Sequence, residues 1–244
     1  GFELAGVAPA RPLPEAVWCL KWAQSGLAAD MRYLEGRRAQ LRTDPRFLLP
    51  SARSVVAVGK LYNTRQPYST AINPRGRGWI SRYAWGRDYH TLMKASLAQL
   101  AAGIAAEHGP RFEWRAAVDT TPILERAYAR RAGLGWIGKN SCLIHERQGS
   151  WFFLGMLLVS LDLEPGEPPP DRCGSCRRCI EACPTGAILA NVCPGGPAYT
   201  VDSRRCISYL TIESRGPIPA SVRPALGRHV FGCDVCQEIG RAHV

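Results

Sequence analysis

The sequence predicts an α/β (α+β) domain over residues 1–162 and a small cysteine-rich domain over residues 173–238. Strand-like and helix-like segments alternate through the first range, which is the pattern of a layered domain with one core. Residues 163–172 (LEPGEPPPDR) have the proline-rich, polar composition of a linker. Eight of the ten cysteines lie between Cys173 and Cys236, so the second domain is expected to be organised by its thiols.

The elements of the first domain follow from the spacing of its apolar residues. Short apolar runs bounded by turn residues predict strands, and a 3.6-residue apolar period predicts helices. The predicted elements, in chain order, are strand 3–8, helix 14–24, helix 28–42, strand 54–61, helix 88–108, strand 114–119, helix 122–132 and a hairpin of 141–144 with 151–161. The buried face of the longest helix is predicted to carry Met93, Leu97, Leu100 and Ile104.

Composition and charge restrict the class of protein. The chain is 46% hydrophobic and 21% charged, which is typical of a globular protein and excludes a disordered chain. Its longest apolar run, residues 151–161, is far shorter than the roughly 20 residues of a membrane-spanning helix. Lys and Arg outnumber Asp and Glu by 31 to 20, which favours a polyanionic partner, nucleic acid before an anionic membrane. General solubility explains the charge equally well.

The two ends of the chain carry expectations of their own. The chain begins at Gly1 and shows no basic-then-apolar leader, so we expect a cytoplasmic protein without membrane attachment, and a monomer. Residues 239–244 close the peptide EIGRAHV, which matches the translation of a common sequencing adaptor. We therefore expect a non-native tail there, with native sequence ending near Glu238.

The first cysteine run has the spacing of a bacterial ferredoxin. It reads Cys173-x2-Cys176-x2-Cys179-x3-Cys183-Pro184. In that pattern the first three thiolates bind one 4Fe–4S cluster, and the fourth binds a neighbouring cluster. Zinc is the main alternative, but its sites usually use two CxxC pairs separated by a longer loop. A disulfide framework is typical of shorter chains than this one.

Further cysteines complete a second set of four. The predicted ligands of the second 4Fe–4S cluster are Cys183, Cys206, Cys233 and Cys236. The first cluster then needs one more thiolate, and the ferredoxin pattern puts it four residues after Cys236, where this chain has Gly240.

The remaining cysteines have weaker signals. Cys193 lies in a loop made pliable by proline and glycine, and it is a second candidate for the missing ligand. Cys19 lies in a helical pattern and Cys142 on a predicted strand. Both are interpreted as core thiols.

Six motifs resemble the epoxyqueuosine reductase family, and the resemblance runs through nearly the entire chain. They are residues 81–90 (SRYAWGRDYH), 118–126 (VDTTPILER), 132–140 (AGLGWIGKN), 149–155 (GSWFFLG), 206–213 (CISYLTIE) and 216–219 (GPIP). Corrinoid reductive dehalogenases share the architecture but much less of this sequence. The resemblance implies a cobalamin-binding domain resembling reductive dehalogenases, followed by a ferredoxin-like domain with two 4Fe–4S clusters.

The resemblance also implies an activity. The family reduces the epoxide of epoxyqueuosine, at the first anticodon position of tRNA, to queuosine, with electrons passing from an external donor through the clusters to base-off cobalamin. Asp119 would be the proton donor, with a pKa raised by burial beside the corrinoid. The alternative from the residues alone is that Asp119 caps the helix predicted at Pro122. The family's helical-repeat extension, which helps hold tRNA, would follow Glu238.

Two further groups of residues follow from the same resemblance. The predicted corrinoid contacts, whose donors suit amide arms and a phosphate, are Arg42, Arg82, Lys139, Asn140, Ser141, His145 and Ser208. The predicted phosphate contacts of tRNA are Arg204, Arg205, Arg215, Arg223 and Arg228. A solvated basic face is the alternative for each of these arginines.

Three other functions are compatible with parts of the sequence. Another corrinoid iron–sulfur reductase, such as a dehalogenase, would use the same cofactors on a small molecule. A non-catalytic electron-transfer module would need the cysteines but not the large first domain. A zinc-binding nucleic-acid module would need neither iron nor cobalamin.

Overall fold

The computed structural model describes residues 1–72, 75–192 and 195–240 of the chain. The strands are β1 (Leu4–Pro9), β2 (Ser54–Leu61), β3 (Trp79–Ile80), β4 (Trp114–Ala117), β5 (Trp136–Ile137), β6 (Leu143–Ile144), β7 (Phe152–Val159), β8 (Ile188–Ala190), β9 (Tyr199–Val201) and β10 (His229–Phe231). The α-helices are α1 (Glu15–Gln24), α2 (Gly36–Leu41), α3 (Tyr89–His108), α4 (Glu125–Arg131), α5 (Arg178–Ala182) and α6 (Arg223–Leu226). No helix in these ranges is both long enough and apolar enough to cross a bilayer.

A four-stranded antiparallel sheet in the described residues organises the first half of the chain. Its strand order is β1-β2-β7-β4. Strand β2 pairs with β7 along its full length, from Ser54 opposite Val159 to Leu61 opposite Phe152. The first half is therefore an α+β arrangement, with an antiparallel sheet in place of the parallel one that strand–helix alternation usually gives.

Alternate residues of β2 point into two separate cores. Val55 packs in one core with Tyr128 of α4, whereas Val58 packs in the other with Met93 of α3. Because helices cover both faces of the sheet, its central strands are apolar on both sides. This explains why β2 reads as a continuous apolar run.

Several predicted elements are confirmed by the structure. Strand 54–61 has the predicted bounds, and the helix predicted over 88–108 forms with Asp88 as its N-cap, accepting a hydrogen bond from the His90 N–H at 2.9 Å. Two of the four apolar residues predicted on the inner face of α3 are fully buried, and the other two pack at the edge of the same core: Met93 and Leu97, then Leu100 and Ile104.

The single helix predicted over 28–42 is wrong. A 3-10 turn at Arg32–Leu34 is followed by the short helix α2. Ala29 and Gly36 have φ angles of 53° and 56°. These left-handed conformations cannot continue a right-handed helix, so the basic segment is broken at both positions.

The helix predicted over 122–132 begins three residues late, at Glu125. Asp119 has a φ of 49°, and the segment after it forms a turn closed by a hydrogen bond from the Ile123 N–H to the Thr121 carbonyl at 2.8 Å. The turn uses the residues that a helix would need for its first turn.

The predicted hairpin is also wrong, although both of its strands exist. Strand β6 pairs with β5, Trp136 lying opposite Ile144, whereas β7 pairs with β2 and β4. Between β6 and β7, His145 and Gly149 exchange backbone hydrogen bonds of 2.8 and 3.1 Å. The chain turns tightly there, but the two strands join different sheets.

Residues 163–172 contain no helix or strand, as a linker should, yet they are held against the first half. The Gly166 N–H donates to the Val7 carbonyl at 2.8 Å. Gly133 faces the same segment, since a Cβ there would lie 3.1 Å from the Glu167 carbonyl oxygen. The division of the chain into two domains at this segment stays a prediction.

Two side chains near the N-terminus bond directly to the second half. Trp22 Nε1 donates to the Val201 carbonyl at 2.9 Å, and the Tyr209 hydroxyl donates to Asp30 Oδ2 at 3.0 Å. Tyr209 is buried by this contact. The two halves therefore share polar contacts as well as the connecting segment.

Gly6 on β1 leaves no room for a side chain, because a Cβ there would lie 2.0 Å from the Ala132 carbonyl oxygen beyond α4. We expect Gly6→Ala to push β1 from α4 and to lower the free energy of unfolding by about 1–3 kcal/mol, measured as a lower Tm. Gly103→Ala is the matched control, because Gly103 lies exposed on α3 with nothing near its Cβ position. That change should stabilise the helix by about 0.5–1 kcal/mol, and equal Tm values would contradict the packing.

Candidate functional site

Three of the predicted ligands line one small cavity. It is bounded by Cys173, Cys176, Cys179, Lys139, Asn140, Ile144, Ile239 and Gly240. Burial and the neighbouring Cys173 and Cys176 thiols raise the pKa of Cys179 to about 11. Neighbouring thiolates repel one another, which raises the pKa of each thiol, and bound iron would offset that repulsion.

Gly240 lies at the wall of this cavity, where the ferredoxin spacing requires the fourth ligand. A Cβ at that position would be 3.7 Å from Cys176 Sγ and 3.3 Å from the Cβ of Arg178. Glycine itself offers no sulfur. Cys193, the other predicted candidate, lies outside the described residues.

The second predicted ligand set also converges. Burial, with the Cys206 and Cys183 thiols and the Asp234 carboxyl nearby, raises the pKa of Cys233 to about 12. Burial raises the pKa of Cys206 as well, with Cys183 adding to the shift. The Ala187 N–H donates to Cys183 Sγ at 3.2 Å, a contact of the kind that tunes cluster potentials.

Cys142, interpreted from sequence as a core thiol, lies against a predicted cluster ligand. It hydrogen-bonds Cys236, and this contact together with burial raises the pKa of the Cys236 thiol. Asn140 holds the same pair: its Nδ2 donates to the Cys236 carbonyl at 2.8 Å, and its Oδ1 accepts from the Cys142 N–H at 3.1 Å. Nothing in the sequence pattern marks Cys142, because its neighbour in space is remote in the chain.

Lys139, on the same turn, bonds to the first cysteine loop. Its Nζ donates to the carbonyls of Gly174 at 2.7 Å and Cys176 at 2.8 Å, and lies 5.0 Å from the Tyr199 ring centroid. Lys139 and Asn140 were predicted to contact a corrinoid. In the structure they attach the first half of the chain to both cysteine sets.

Two buried carboxylates anchor the last cysteine segment to the first half. Asp234 accepts hydrogen bonds from the Ser81 hydroxyl, from the Arg82 N–H at 2.8 Å and from Trp79 Nε1 at 3.2 Å. Glu238 likewise accepts from the Ser69 N–H at 2.7 Å and the Ser69 hydroxyl at 2.6 Å. Burial raises the pKa of Asp234, against these donors.

Arg82, another predicted corrinoid contact, is enclosed, with only 1% of its surface exposed. Its Nη1 donates to the Thr64 carbonyl at 3.0 Å, and its Nη2 to the Gln66 and Pro67 carbonyls at 3.0 Å. The guanidinium also lies 4.7 Å from the Trp85 ring centroid. Arg82 therefore organises the loop after β2 and presents no free face to a ligand.

Asp119 follows β4 and lies near residues of both halves, since its carboxylate helps to raise the pKa of Tyr33, and Tyr33 bonds to Glu213. Asp119 Oδ2 lies 2.9 Å from His90 Nε2, and its N–H donates to Glu125 Oε1 at 2.7 Å. The side chain is 53% exposed, so the burial expected for it is absent in the protein alone. The alternative role as a helix cap is wrong, because Leu124 occupies that position and no side chain caps α4.

The groups around Asp119 have shifted proton affinities. Burial raises the pKa of Glu125 to about 7, and the Asp119 carboxylate adds to the shift. For His90, burial lowers the pKa, but hydrogen bonds to Asp119 and Asp88 outweigh it, so the net pKa is raised. Sequence analysis missed both residues; the only available signal was their place inside two of the family motifs.

Aromatic side chains lie near Asp119. The Tyr33 hydroxyl donates to Glu213 Oε1 at 3.4 Å, and burial with the Glu213 and Asp119 carboxylates raises its pKa to about 12. The ring of Tyr83 lies 6.2 Å from that of Phe231. Tyr33 and Phe231 expose 40% and 37% of their surface, so apolar area from both halves faces solvent near Asp119.

Two predicted corrinoid contacts are held by their own neighbourhoods. Arg42 Nη1 donates to the carbonyls of Tyr33 at 2.8 Å and Arg38 at 3.0 Å. His145 Nδ1 accepts from the Arg147 N–H at 3.2 Å, and burial lowers the pKa of its imidazole.

The two predicted serines lie at different places in the site. Ser141 has a φ of 63°, and its carbonyl accepts a hydrogen bond from Arg126. Ser208 bonds to Cys206 through its backbone and its hydroxyl. Ser208 therefore contacts a ligand of the second cysteine set, and Ser141 lies on the turn that carries Cys142.

Two of the arginines predicted to bind tRNA have strong internal partners. Arg204 pairs with Asp202 through two hydrogen bonds of 2.8 Å. Arg228 Nη2 donates to the carbonyls of Ser69 at 2.9 Å and Ile72 at 2.5 Å. Arg228 therefore closes the loop after β2 over the second half.

The other three, Arg205, Arg215 and Arg223, are exposed. Arg205 Nε donates to the Thr185 carbonyl at 3.1 Å, and Arg223 Nε to the Ile218 carbonyl at 2.9 Å. Each of these contacts uses Nε rather than the Nη groups.

Comparison with known proteins gives consistent relationships. The family model described as epoxyqueuosine reductase QueG, DUF1730, matches residues 42–120, and a 4Fe–4S double cluster binding domain matches residues 172–239. An epoxyqueuosine reductase from Xanthomonas campestris is 42% identical over 98% of this chain and 65% of its own length. One from Gloeobacter violaceus is 44% identical over 97% of this chain and 70% of its own length. The chain thus spans less than two thirds of the Xanthomonas relative.

Solved structures show the same relationship. An epoxyqueuosine reductase with an epoxyqueuosine-modified tRNA-Tyr stem loop is 30% identical, with a TM-score of 0.85 over 100% of this chain and 62% of that one. A Bacillus subtilis enzyme, 29% identical with a TM-score of 0.84 over 100% and 62%, has its aspartate catalytic loop swung out of the active site. A catabolic reductive dehalogenase shares the fold, with a TM-score of 0.55 at 16% identity over 100% and 30%.

Glu125 gives stability a pH dependence with a definite sign. Its folded pKa of about 7 lies above the ordinary 4.5, so its contribution is complete below pH 4.5 and is lost as pH rises towards 7. Glu125→Gln keeps an oxygen acceptor for the Asp119 N–H without the charge. We expect its Tm relative to the unmodified protein to rise between pH 5 and pH 8. Glu107→Gln, exposed on α3, is the control, and a pH-independent difference for Glu125→Gln would contradict the burial of its charge.

Proposed function

Because the chain belongs to the epoxyqueuosine reductase family, we propose that it reduces epoxyqueuosine in tRNA to queuosine, using iron–sulfur clusters and cobalamin. The observation that carries the proposal is the position of Asp119, half exposed and bonded to His90 and Glu125. A half-exposed acid, in a chain that also carries two sets of predicted cluster ligands, suits the reductive removal of oxygen.

Two 4Fe–4S clusters are part of this proposal. The first would use Cys173, Cys176 and Cys179 and a ligand at position 240. The second would use Cys183, Cys206, Cys233 and Cys236. Support comes from the shared cavity of the first set and from the mutual pKa increases in the second. An external electron donor would load both.

Cobalamin would bind near Asp119, between the two halves. Exposed aromatic rings of Tyr33 and Phe231 suit the flat apolar face of a macrocycle, and Ser141 and Ser208 lie on turns that face the cysteine sets. Arg82 is removed from the direct contacts, because its guanidinium is enclosed. When bound, cobalamin would supply a metal centre that passes electrons to the epoxide carbon.

The chain's own residues handle the proton. Asp119 would donate a proton to the epoxide oxygen, with its backbone fixed by Glu125 and its carboxyl oriented by His90. A macrocycle bound over Asp119 would exclude water, and exclusion of water raises the pKa of a carboxyl group. The cofactor would thus supply the burial that Asp119 lacks in the protein alone.

The proposed substrate is the anticodon region of tRNA. Arg205, Arg215 and Arg223 are the preferred phosphate contacts, because they are exposed and the bonds described for Arg205 and Arg223 use only Nε. Arg204 is exposed as well, but its guanidinium pairs with Asp202, and Arg228 bonds to backbone carbonyls. A tRNA substrate implies a cytoplasmic enzyme, and we propose a monomer. The division into a catalytic domain (1–162) and a ferredoxin-like domain (173–238) belongs to the same proposal.

A dehalogenase activity is the second candidate. The fold likeness to a reductive dehalogenase favours it, but at 16% identity that likeness concerns the fold alone. Turnover of a halogenated phenol, with epoxyqueuosine tRNA unchanged, would select it. A simple electron-transfer module would carry the clusters and bind no cobalamin.

Gly240→Cys tests the ligand count of the first cluster. The Cβ of a cysteine there would lie 3.7 Å from Cys176 Sγ, and an added thiolate ligand should bind iron more firmly. We expect more iron retained after gel filtration and a slower loss of visible absorbance in air. Gly216→Cys, an exposed position with nothing near its Cβ, controls for an extra thiol. Equal iron in both variants would remove position 240 as a ligand site.

Asp119→Asn tests the proposed acid. The protein, reconstituted with iron, sulfide and cobalamin, is assayed with a strong reductant on epoxyqueuosine tRNA. The variant should keep its cofactors and lose about 10²–10⁴-fold in turnover, the range for a lost general acid. Asp162→Asn, on an exposed ion pair with Arg53, is the control. Full activity of Asp119→Asn would exclude Asp119, and an unmodified holoenzyme that leaves the nucleoside unchanged would exclude the function.

A further inference from the structure

The proposed reaction consumes more protons than one acid holds. Converting an epoxide to an alkene breaks both C–O bonds, forms one C=C π bond and releases the oxygen as water. This takes two electrons, delivered through the clusters from the external donor, and two protons. Asp119 carries one proton, so a second must reach the same oxygen during the turnover. This inference rests on the proposed function.

We propose that His90 supplies the second proton by reprotonating Asp119, as the inner member of a relay that runs from Asp88 at the surface through His90 to Asp119. His90 Nε2 lies 2.9 Å from Asp119 Oδ2, and its Nδ1 lies 2.7 Å from Asp88 Oδ1. The exposed fractions of the three side chains are 53% for Asp119, 30% for His90 and 65% for Asp88. The relay therefore connects solvent to the reacting carboxyl through one imidazole.

The protons balance in a simple order. The Asp119 carboxyl donates to the oxygen as the first C–O bond breaks and becomes a carboxylate. The His90 imidazolium passes its Nε2 proton to Asp119 Oδ2 and becomes neutral. Asp119 then donates again as the second C–O bond breaks, and water leaves. His90 regains a proton from solvent on the side of Asp88.

The backbone fixes this geometry. Asp88 is the N-cap of α3 and accepts from the His90 N–H at 2.9 Å, so both residues belong to the first turn of a long helix. The neighbouring Tyr89 ring stacks 4.1 Å from the His90 imidazole. Glu125 holds the Asp119 N–H from the other side. The imidazole therefore meets Asp119 from a rigid element.

The surrounding charges favour a protonated His90. The titratable and charged groups around it are Asp88, Tyr89, Lys94, Asp119 and Glu125. Hydrogen bonds to the two aspartates raise its pKa despite partial burial, so the imidazolium persists to higher pH than in a free histidine.

Other groups near Asp119 suit the role less well. Glu125 binds the backbone N–H of Asp119, and no hydrogen bond joins the two carboxyl groups among the described residues. The Tyr33 hydroxyl, with a pKa of about 12, is a weaker acid than an imidazolium and bonds to Glu213. Among the residues that the structure describes, only His90 hydrogen-bonds the Asp119 carboxyl and also reaches an exposed group, Asp88.

His90→Gln tests the relay in the reconstituted holoenzyme. Glutamine can keep a hydrogen bond to Asp119 but cannot deliver a proton at neutral pH. We expect kcat to fall by at least about tenfold, with KM for tRNA, iron content and cobalamin content unchanged. In the unmodified enzyme kcat should fall as pH rises through the His90 pKa. This falling limb of the kcat–pH profile should be absent in His90→Gln. His108→Gln, exposed at the end of α3, should match the unmodified enzyme.

A second variant separates the relay from a structural role. Asp88→Asn keeps a side-chain oxygen for capping but removes one charge beside His90, so the limb should move to lower pH. If the enzyme is active but its kcat–pH profile is the same in His90→Gln, the relay is excluded. The relay is also excluded if Asp88→Asn leaves the profile unchanged. Either result leaves the proposed function standing. An unmodified holoenzyme inactive on epoxyqueuosine tRNA overturns both.

Discussion

The buried carboxylate of Asp234 is the contact on which the arrangement of the two halves depends. It lies between Cys233 and Cys236 and accepts hydrogen bonds from Trp79, Ser81 and Arg82. A buried charge is tolerated only while its oxygens are bonded, so the cysteine segment and the segment after β3 must keep their positions together.

The local sequence pattern predicted where strands and helices form better than it predicted which strands pair. Strand β2 and helix α3 were predictable because an unbroken apolar run and a 3.6-residue period are properties of the segment itself. The pairing of β7 was not, because strands distant in sequence supply its neighbours. The left-handed Ala29, which helps to break the predicted basic helix, carries no sequence signal because alanine is the best helix former. Gly36 did carry one, since glycine is the usual residue at a left-handed position.

The candidate site divides in the same way. The cysteine ligands were predictable because spacing in a loop determines which thiols can reach one cluster. Cys142 was not, since its contact with Cys236 joins segments far apart in the chain. The role of Lys139 as a cofactor contact stays a prediction, and in the structure its ammonium group bonds to carbonyls of the cysteine loop. Donor chemistry alone does not distinguish a ligand from a neighbouring loop.

The central place of β7 constrains the order in which the nascent chain can fold. Strands β2 and β4 both pair with β7, so neither pairing can form until β7 has left the ribosome. The sheet therefore closes late in the synthesis of the first half. Val159 nevertheless precedes Cys173, so the sheet can close before any ligand thiol appears. The segment after β3 differs, because the carboxylate that anchors it, Asp234, lies among the last cysteines. That segment takes its final position only after those cysteines have been made.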